Sequence, residues 1–73
     1  MDISELIKAI RSQLGMSQEA FAEVIHVAFS TVNRWENNKS TPNSMARALI
    51  ADYCEKNKVD KKLIAAIRKD KRR

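Results

Sequence analysis

One short segment of the chain concentrates side chains that could read nucleic acid. Ser30, Asn33, Arg34 and Asn37 recur at intervals of three and four residues, so on an α-helix they share one face. Arginine can pair with guanine, asparagine with adenine, and serine with either, whereas solubility alone would favour Glu and Lys. Phe29, at the exposed start of the same segment, could contact a thymine methyl group in the same groove. We therefore expect this face to meet a DNA groove.

The chain contains little that could support catalysis or metal binding. Cys54 is its only cysteine and His26 its only histidine. One cysteine cannot form an internal disulfide or a thiolate cluster, and one histidine provides neither paired imidazoles nor an obvious Ser/His/Asp triad. We expect a protein that is not an enzyme and that uses no metal or cofactor, with Cys54 as a partly buried residue of a helix.

Length and composition favour one small domain. The 73 residues include one glycine and one proline, and 44% are hydrophobic. A chain this short cannot divide its apolar residues between two cores, so we expect a domain over residues 1–70 and a disordered basic tail at 71–73. No apolar run approaches the roughly 20 residues that span a bilayer, and the N-terminus does not resemble a secretory signal. We expect a cytoplasmic location, with the nucleoid if the source is bacterial.

The net charge of +5 is unevenly distributed along the chain. Residues 1–55 hold five Lys/Arg against seven Asp/Glu, a balance of −2, whereas residues 56–73 hold nine against two, a balance of +7. A basic run of this kind is consistent with a solvated helix face and tail, and also with contact to an anion such as nucleic acid. Charge alone leaves both interpretations open.

The first element is predicted to be an amphipathic helix. Apolar residues recur from Ile3 to Leu14 at the three-and-four spacing that places them on one stripe. Asp2 can cap its start together with Glu5 three residues later, and Gly15 can adopt the positive φ that ends a helix.

Two short helices are predicted next. Ser17 can cap a helix of about two turns whose apolar periodicity stops near His26. A third helix of similar length begins near Ala28, buries Val32 and Trp35, and ends in the asparagines that follow.

Two further helices complete an all-α chain of about five helices. Asn43 or Ser44 can cap the fourth, after the turn at Pro42, and Asn57 ends it. Its inward face is predicted to comprise Met45, Ala48, Leu49 and Tyr53, flanked by Ala46 and Ile50. Asp60 can cap the fifth helix, whose apolar face is Leu63, Ile64 and Ile67.

The second and third helices are separated by only three or four residues. Such a connector forces two short helices to cross at a large angle and can hold the second one clear of the surface. This is the geometry of a helix-turn-helix, although an ordinary corner of a small bundle has the same spacing.

Residues 14–42 resemble the helix-turn-helix of the lambda-repressor-like, Cro and XRE-type, DNA-binding family. The resemblance rests on MSQEAFA at the second helix and on STVNRWENNK at the third. It implies a compact bundle of five short helices, with the third helix in the major groove and the second across the DNA backbone.

The resemblance also implies roles for individual residues. It implies base reading by Phe29, Ser30 and Arg34, with Asn33 as a further reader. Phosphate contacts are implied for Gln18 at the start of the second helix. They are also expected for Thr31, Asn37 and Lys39, on the two flanks of the third helix. For Arg47, a phosphate contact and a solvated side chain both remain open as interpretations. A partly buried ion pair between Arg11 and Glu36 is implied as a structural feature.

Three positions depart from the family pattern. His26 and Asn38 stand where glycine is usual, so each is predicted to adopt a positive φ with some strain. Ala28 replaces the usual Ser or Thr cap of the third helix. That helix is therefore expected to fray when free.

Several functions and assemblies remain open from sequence alone. The favoured function is sequence-specific binding of double-stranded DNA by a transcriptional regulator of repressor type. The alternatives are an antitoxin or adaptor that binds a protein partner, the DNA-targeting module of a larger modification system, and non-specific RNA binding through the tail. Leu63, Ile64 and Ile67 could form a homodimer surface or close the core of the monomer.

Overall fold

The computed structural model describes residues 1–69 and contains five α-helices and no β-strand in that range. This confirms the predicted all-α fold. The tail predicted at residues 71–73 lies outside the described residues. The helices are α1 (Ile3–Leu14), α2 (Gln18–Val24), α3 (Phe29–Glu36), α4 (Ser44–Lys56) and α5 (Lys61–Arg68).

Four of the five helices begin at a residue whose side chain accepts a hydrogen bond from the first turn. In α1 the Asp2 carboxylate accepts a hydrogen bond from the Glu5 amide, and Glu5 accepts one from the Asp2 amide. Single cap hydrogen bonds to Ser17, Asn43 and Asp60 begin α2, α4 and α5. Helix α3 has no side-chain cap at Ala28, as predicted.

Four helices are each followed by a residue in the left-handed backbone conformation. Gly15, His26, Asn38 and Lys58 have φ values of 68°, 64°, 60° and 60°. The amide after each donates to a carbonyl five residues earlier, as Val27 does to Ala22 at 3.0 Å and Lys39 does to Arg34 at 2.9 Å. The positive φ predicted for His26 and Asn38 is confirmed, whereas that of Lys58 was not anticipated.

The core is formed by residues from all five helices. Phe21, Ile7, Ile10 and Val32 are fully buried, and Trp35 lies with them. Each buried apolar side chain of this size contributes about 1.5–3 kcal/mol relative to exposure. The inward direction predicted for Val32 and Trp35 is confirmed, and it determines which side of α3 faces out.

The predicted inward face of α4 is wrong for Met45, Ala48 and Leu49, whereas Tyr53 packs against the core as expected. Met45 is 73% exposed and Leu49 37% exposed, whereas Ile50, Ala51 and Cys54 are buried. Apolar residues surround most of this helix, so periodicity did not determine its rotation. The smaller side chains at 51 and 54 face inward, where they permit a close approach to α5.

Cys54 is fully buried rather than partly buried. Burial raises the pKa of its thiol to about 11. The thiolate is the reactive form, so Cys54 is unreactive at neutral pH in the folded chain.

Helix α5 packs against α4 and α1. Ile64 and Ile67 are buried within the chain and Leu63 is partly buried. Of the two alternatives left open for these residues, closure of the monomer core therefore holds for Ile64 and Ile67. Within residues 1–69, no helix combines the length and hydropathy needed to cross a membrane.

Candidate nucleic-acid interface

The turn between α2 and α3 holds the two helices at a fixed angle. Ile25 ends α2 and is buried, and His26 then takes the left-handed conformation. Phe21 and Ala22 on α2 are buried in the same core as Val32 on α3. Packing along one side of α3 leaves its opposite side outward.

The outward side of α3 carries the residues predicted to read bases. Ser30 and Arg34 are exposed, and Phe29 is 46% exposed at the helix start. Within residues 1–69, the Arg34 guanidinium makes no hydrogen bond or ion pair. Because Ala28 provides no cap, no side chain engages the first amides of the helix. An unpaired cation, a hydroxyl and an aromatic ring thus share one surface.

A buried ion pair supports α3 from behind. Arg11 on α1 donates to both carboxylate oxygens of Glu36, at 2.7 and 2.9 Å, and also to the carbonyl of Met16 at 2.9 Å. The Glu36 side chain is 3% exposed and that of Arg11 22%. Ser4 donates to the Glu36 carbonyl at 2.6 Å. This is the contact that the resemblance implied, and it ties the end of α3 to α1.

Electrostatics favour the charged form of both partners. Burial by itself would raise the pKa of the Glu36 carboxyl, but hydrogen bonds from Arg11 and Gln18, with the positive charges of Arg11 and Lys8, outweigh it and lower the pKa. The hydrogen bond to Glu36 raises the pKa of Arg11 against the opposing effect of its burial. The pair therefore stays ionised at neutral pH.

Two residues predicted to contact DNA are held within the protein. Gln18 donates to Glu36 at 2.8 Å, and Asn33 donates to Gln18 at 3.1 Å. Both side chains are partly buried. Asn37 in turn donates to the side-chain and backbone oxygens of Asn33 at 3.1 and 2.8 Å. Sequence reasoning missed this connection, for which the four-residue spacing of the two asparagines was the available signal.

The remaining predicted phosphate contacts lie at the two ends of α3. Thr31 is partly buried near its start, and Lys39 is exposed just beyond its end. Arg47 is partly buried, and its guanidinium Nη1 donates to the carbonyls of Ile67 at 3.1 Å and Lys69 at 2.9 Å. It is a cap for the end of α5. Contact of the other residues with DNA stays a prediction.

The described residues offer no site for a metal ion. Between residues 1 and 69, no group of three or more His, Cys, Asp or Glu side chains is arranged to hold one.

Arg68 pairs with Glu55 at 2.9 Å and Asp52 at 3.4 Å on the surface of α4 and α5. The basic end of the chain is thus partly neutralised by neighbouring acids.

Comparison with known proteins agrees with this geometry. The family model described as Helix-turn-helix matches residues 7–58, a range that includes α2, the turn and α3. The chain is similar to the antitoxin HigA-2 of Vibrio cholerae, with 36% identity over 55 residues. The match covers 67% of this chain and 53% of the relative, so the chain spans about half the relative's length. The comparison with solved structures gave no significant match.

The matched range contains α2, the left-handed turn at His26 and α3 with its outward side. The chain therefore belongs to the Cro/XRE-type helix-turn-helix family of DNA-binding regulators and has the lambda-repressor-like fold.

Proposed function

We propose that this protein binds specific sequences in double-stranded DNA and regulates transcription, acting as a repressor, with α3 in the major groove. The observation that carries the proposal is the Arg34 guanidinium, unpaired within residues 1–69, on the same helix as the exposed Ser30 and Phe29, with the end of that helix bonded to α1 through Arg11 and Glu36. A surface that served only solubility would not need a buried ion pair to hold it.

The dimensions of α3 suit the groove. An α-helix with its side chains is about 10–12 Å in diameter, and the major groove is about 12 Å wide, so α3 can enter it. Arg34 would donate hydrogen bonds from both of its terminal nitrogens to guanine, and Ser30 would pair with either purine. Phe29 would contact a thymine methyl group. Lys39 and Thr31 would meet phosphates on the two flanks, which positions the helix without specifying sequence.

Selection of binding sites from random duplex DNA is the direct test. The proposal predicts an enriched motif that includes a guanine contacted by Arg34. A matched selection with Arg34→Ala should lose the preference at that guanine and keep the rest of the motif. Selection of random sequence by the unmodified chain would contradict specific binding.

A protein partner is the second candidate, because the similar protein of Vibrio cholerae is an antitoxin. Met45 and Leu49 form an exposed apolar strip on α4, outside the outward face of α3. An antitoxin role and DNA binding are compatible, since they would use different surfaces. An unmodified chain that enriches no DNA motif, yet copurifies with one small protein in its native host, would favour this second function.

Assembly also follows from the proposed function. A twofold dimer would present two copies of α3 about 34 Å apart and would read a palindromic site. Because Ile64 and Ile67 are buried, such a dimer would have to use another surface. Sedimentation at micromolar concentration measures the state directly. Binding to the chromosome would agree with the cytoplasmic location expected from sequence.

A further inference from the structure

Three side-chain amides form a continuous line from the interior to the surface of α3. We call Gln18, Asn33 and Asn37 the amide chain. It begins at the Glu36 carboxylate and proceeds through contacts of 2.8, 3.1 and 3.1 Å. Asn37, at its outer end, is exposed.

The chemistry of Glu36 determines the direction of every amide in this line. A carboxylate held by Arg11 can only accept hydrogen bonds, so Gln18 must turn its NH₂ group inward and its carbonyl oxygen toward Asn33. Asn33 must then donate to that oxygen, which leaves its own carbonyl oxygen facing Asn37. Asn37 must donate in its turn. Each amide therefore directs hydrogen inward and oxygen outward.

The outer end of the amide chain is an acceptor. The Asn37 NH₂ group donates to the Asn33 side chain and to the Asn33 backbone carbonyl. Its carbonyl oxygen has no donor among residues 1–69. Asn37 is also the C-terminal cap of α3, where the helix dipole adds partial negative charge. A phosphate would be repelled at this position, in contrast to the phosphate contact expected from sequence.

We propose that Asn37 accepts a hydrogen bond from the exocyclic amino group of adenine or cytosine in the major groove. Adenine N6 and cytosine N4 are donors there, whereas guanine O6 and thymine O4 are acceptors that would face the Asn37 oxygen unfavourably. Glu36, Gln18 and Asn33 act as positioning residues that prevent the amide from reversing. The inference rests on the proposed function and specifies the base chemistry read at one position.

The test removes single amino groups from the selected DNA site. Purine replaces each adenine in turn, and 2-pyrimidinone replaces each cytosine, so that only the amino group is lost. At one position the unmodified chain should lose affinity by roughly 5-fold, which corresponds to one hydrogen bond of about 1 kcal/mol. Asn37→Ala should show less than about 2-fold loss from the same DNA change.

Asn57→Ala is the matched control. Asn57 caps α4 with nearly the same backbone, φ −112° and ψ 16° against −103° and 14° for Asn37, and donates to its own helix at the Tyr53 carbonyl. Its replacement removes an equivalent cap without touching the amide chain. This variant should keep the full response to amino-group removal.

Gln18→Met tests the positioning role. Methionine has similar length but cannot link Glu36 to Asn33, so Asn33 becomes free to reverse and Asn37 keeps only its hydrogen bond to the Asn33 backbone carbonyl. The affinity difference between the normal and amino-less sites should shrink toward that of Asn37→Ala. A change in stability alone would lower affinity for both sites equally and leave their ratio unchanged.

Two results would overturn the inference. One is an equal amino-group response in the unmodified chain and in Asn37→Ala at every adenine and cytosine of the site. The other is coupling of Asn37 to a single neutral methylphosphonate linkage, which would identify a phosphate contact. A selected motif without the predicted coupling contradicts this inference alone, whereas absence of any motif contradicts the proposed function and this inference together.

Discussion

At the scale of single residues, the contrast between Arg34 and Arg11 separates reading from support. Arg34 is exposed and its guanidinium has no partner within residues 1–69, whereas Arg11 makes three hydrogen bonds inside the protein. Under the proposed function, the same guanidinium group would read a base where it is exposed and supports the fold where it is partly buried. Replacement of each arginine is expected to affect a different property.

Arg34→Ala should weaken binding to the selected site by about 1–3 kcal/mol and relax the preference at one base pair. Titrations with the selected duplex and with a duplex changed at that base pair measure both effects. Lys39→Ala is the control, because loss of a phosphate contact weakens binding to all sequences similarly. Equal losses from Arg34→Ala on both duplexes would contradict a reading role.

Glu36→Ala should destabilise the fold by about 3–5 kcal/mol, because it leaves the Arg11 charge without its partner in a partly buried site. For a chain of this size, the melting temperature should fall by more than about 10 °C. Glu55→Ala, which breaks an exposed pair with Arg68, should leave it almost unchanged. An unchanged melting temperature for Glu36→Ala would contradict the structural role of the pair.

The contribution of Glu36 should also depend on pH in a defined direction. Its pKa is lower in the folded than in the unfolded chain, so the stabilisation is fully present above the unfolded pKa of about 4.3 and is lost as pH falls through the folded value. The stability difference between the unmodified chain and Glu36→Ala should therefore be constant near neutrality and shrink in acid. Denaturant titrations at pH 7 and below pH 4 measure it. A difference that grows in acid would contradict the sign.

At the scale of elements, α3 stands out because its start has no side-chain cap. Ala28 has φ −72° and ψ 151°, nearly the backbone of Ser17 at the start of α2, where φ is −71° and ψ 168°. The serine accepts a hydrogen bond from Ala20, and the alanine has no oxygen to do so. The backbone at Ala28 therefore has the conformation of a helix cap, but its side chain has no hydrogen-bond acceptor.

Ala28→Ser should stabilise the protein by about 0.5–1 kcal/mol, because it supplies the missing acceptor to the first amides. Ser17→Ala, the converse change in α2, should destabilise it by a similar amount. Thermal melts of the two variants provide the comparison. Failure of Ala28→Ser to raise the melting temperature, while Ser17→Ala lowers it, would mean that the backbone at position 28 does not accept a cap.

At the scale of the whole molecule, the excess of positive charge lies C-terminal to α3 along the chain. Residues 1–55, which include α3, carry a balance of −2, and the positive charge lies from residue 56 onward. Arg47 connects the two parts by capping the end of α5 from α4. Non-specific attraction and base reading should therefore be separable by substitution.

Affinity for the selected site should fall on the order of 10³-fold between 50 and 200 mM salt, as expected for about six phosphate contacts. Removal of Lys71, Arg72 and Arg73 should lower affinity for every duplex and preserve the ratio between selected and random sequence. Binding measured as a function of salt for both chain lengths tests this. Loss of that ratio in the shortened chain would mean that the tail, and not α3, provides specificity.

Features that depend on neighbours along the chain were predictable from sequence. The caps at Asp2 and Ser17, the left-handed residues at His26 and Asn38, and the inward direction of Trp35 all follow from local chemistry and helical spacing. These features determine how many helices form and where each begins and ends. They also determine which side of α3 can face outward, because Val32 and Trp35, three residues apart, lie on the inward side.

Tertiary structure decided what depends on contacts between distant elements. The rotation of α4, the burial of Ile64 and Ile67, and the cap that Arg47 provides to α5 depend on how these helices pack. The direction of the amide chain depends on a carboxylate 18 residues from Gln18 along the chain. A helix with apolar residues around most of its circumference has no preferred rotation until a neighbour covers one side. By itself, the sequence determined the helices and the outward side of α3, and packing determined the orientation of the hydrogen-bonding groups on that side.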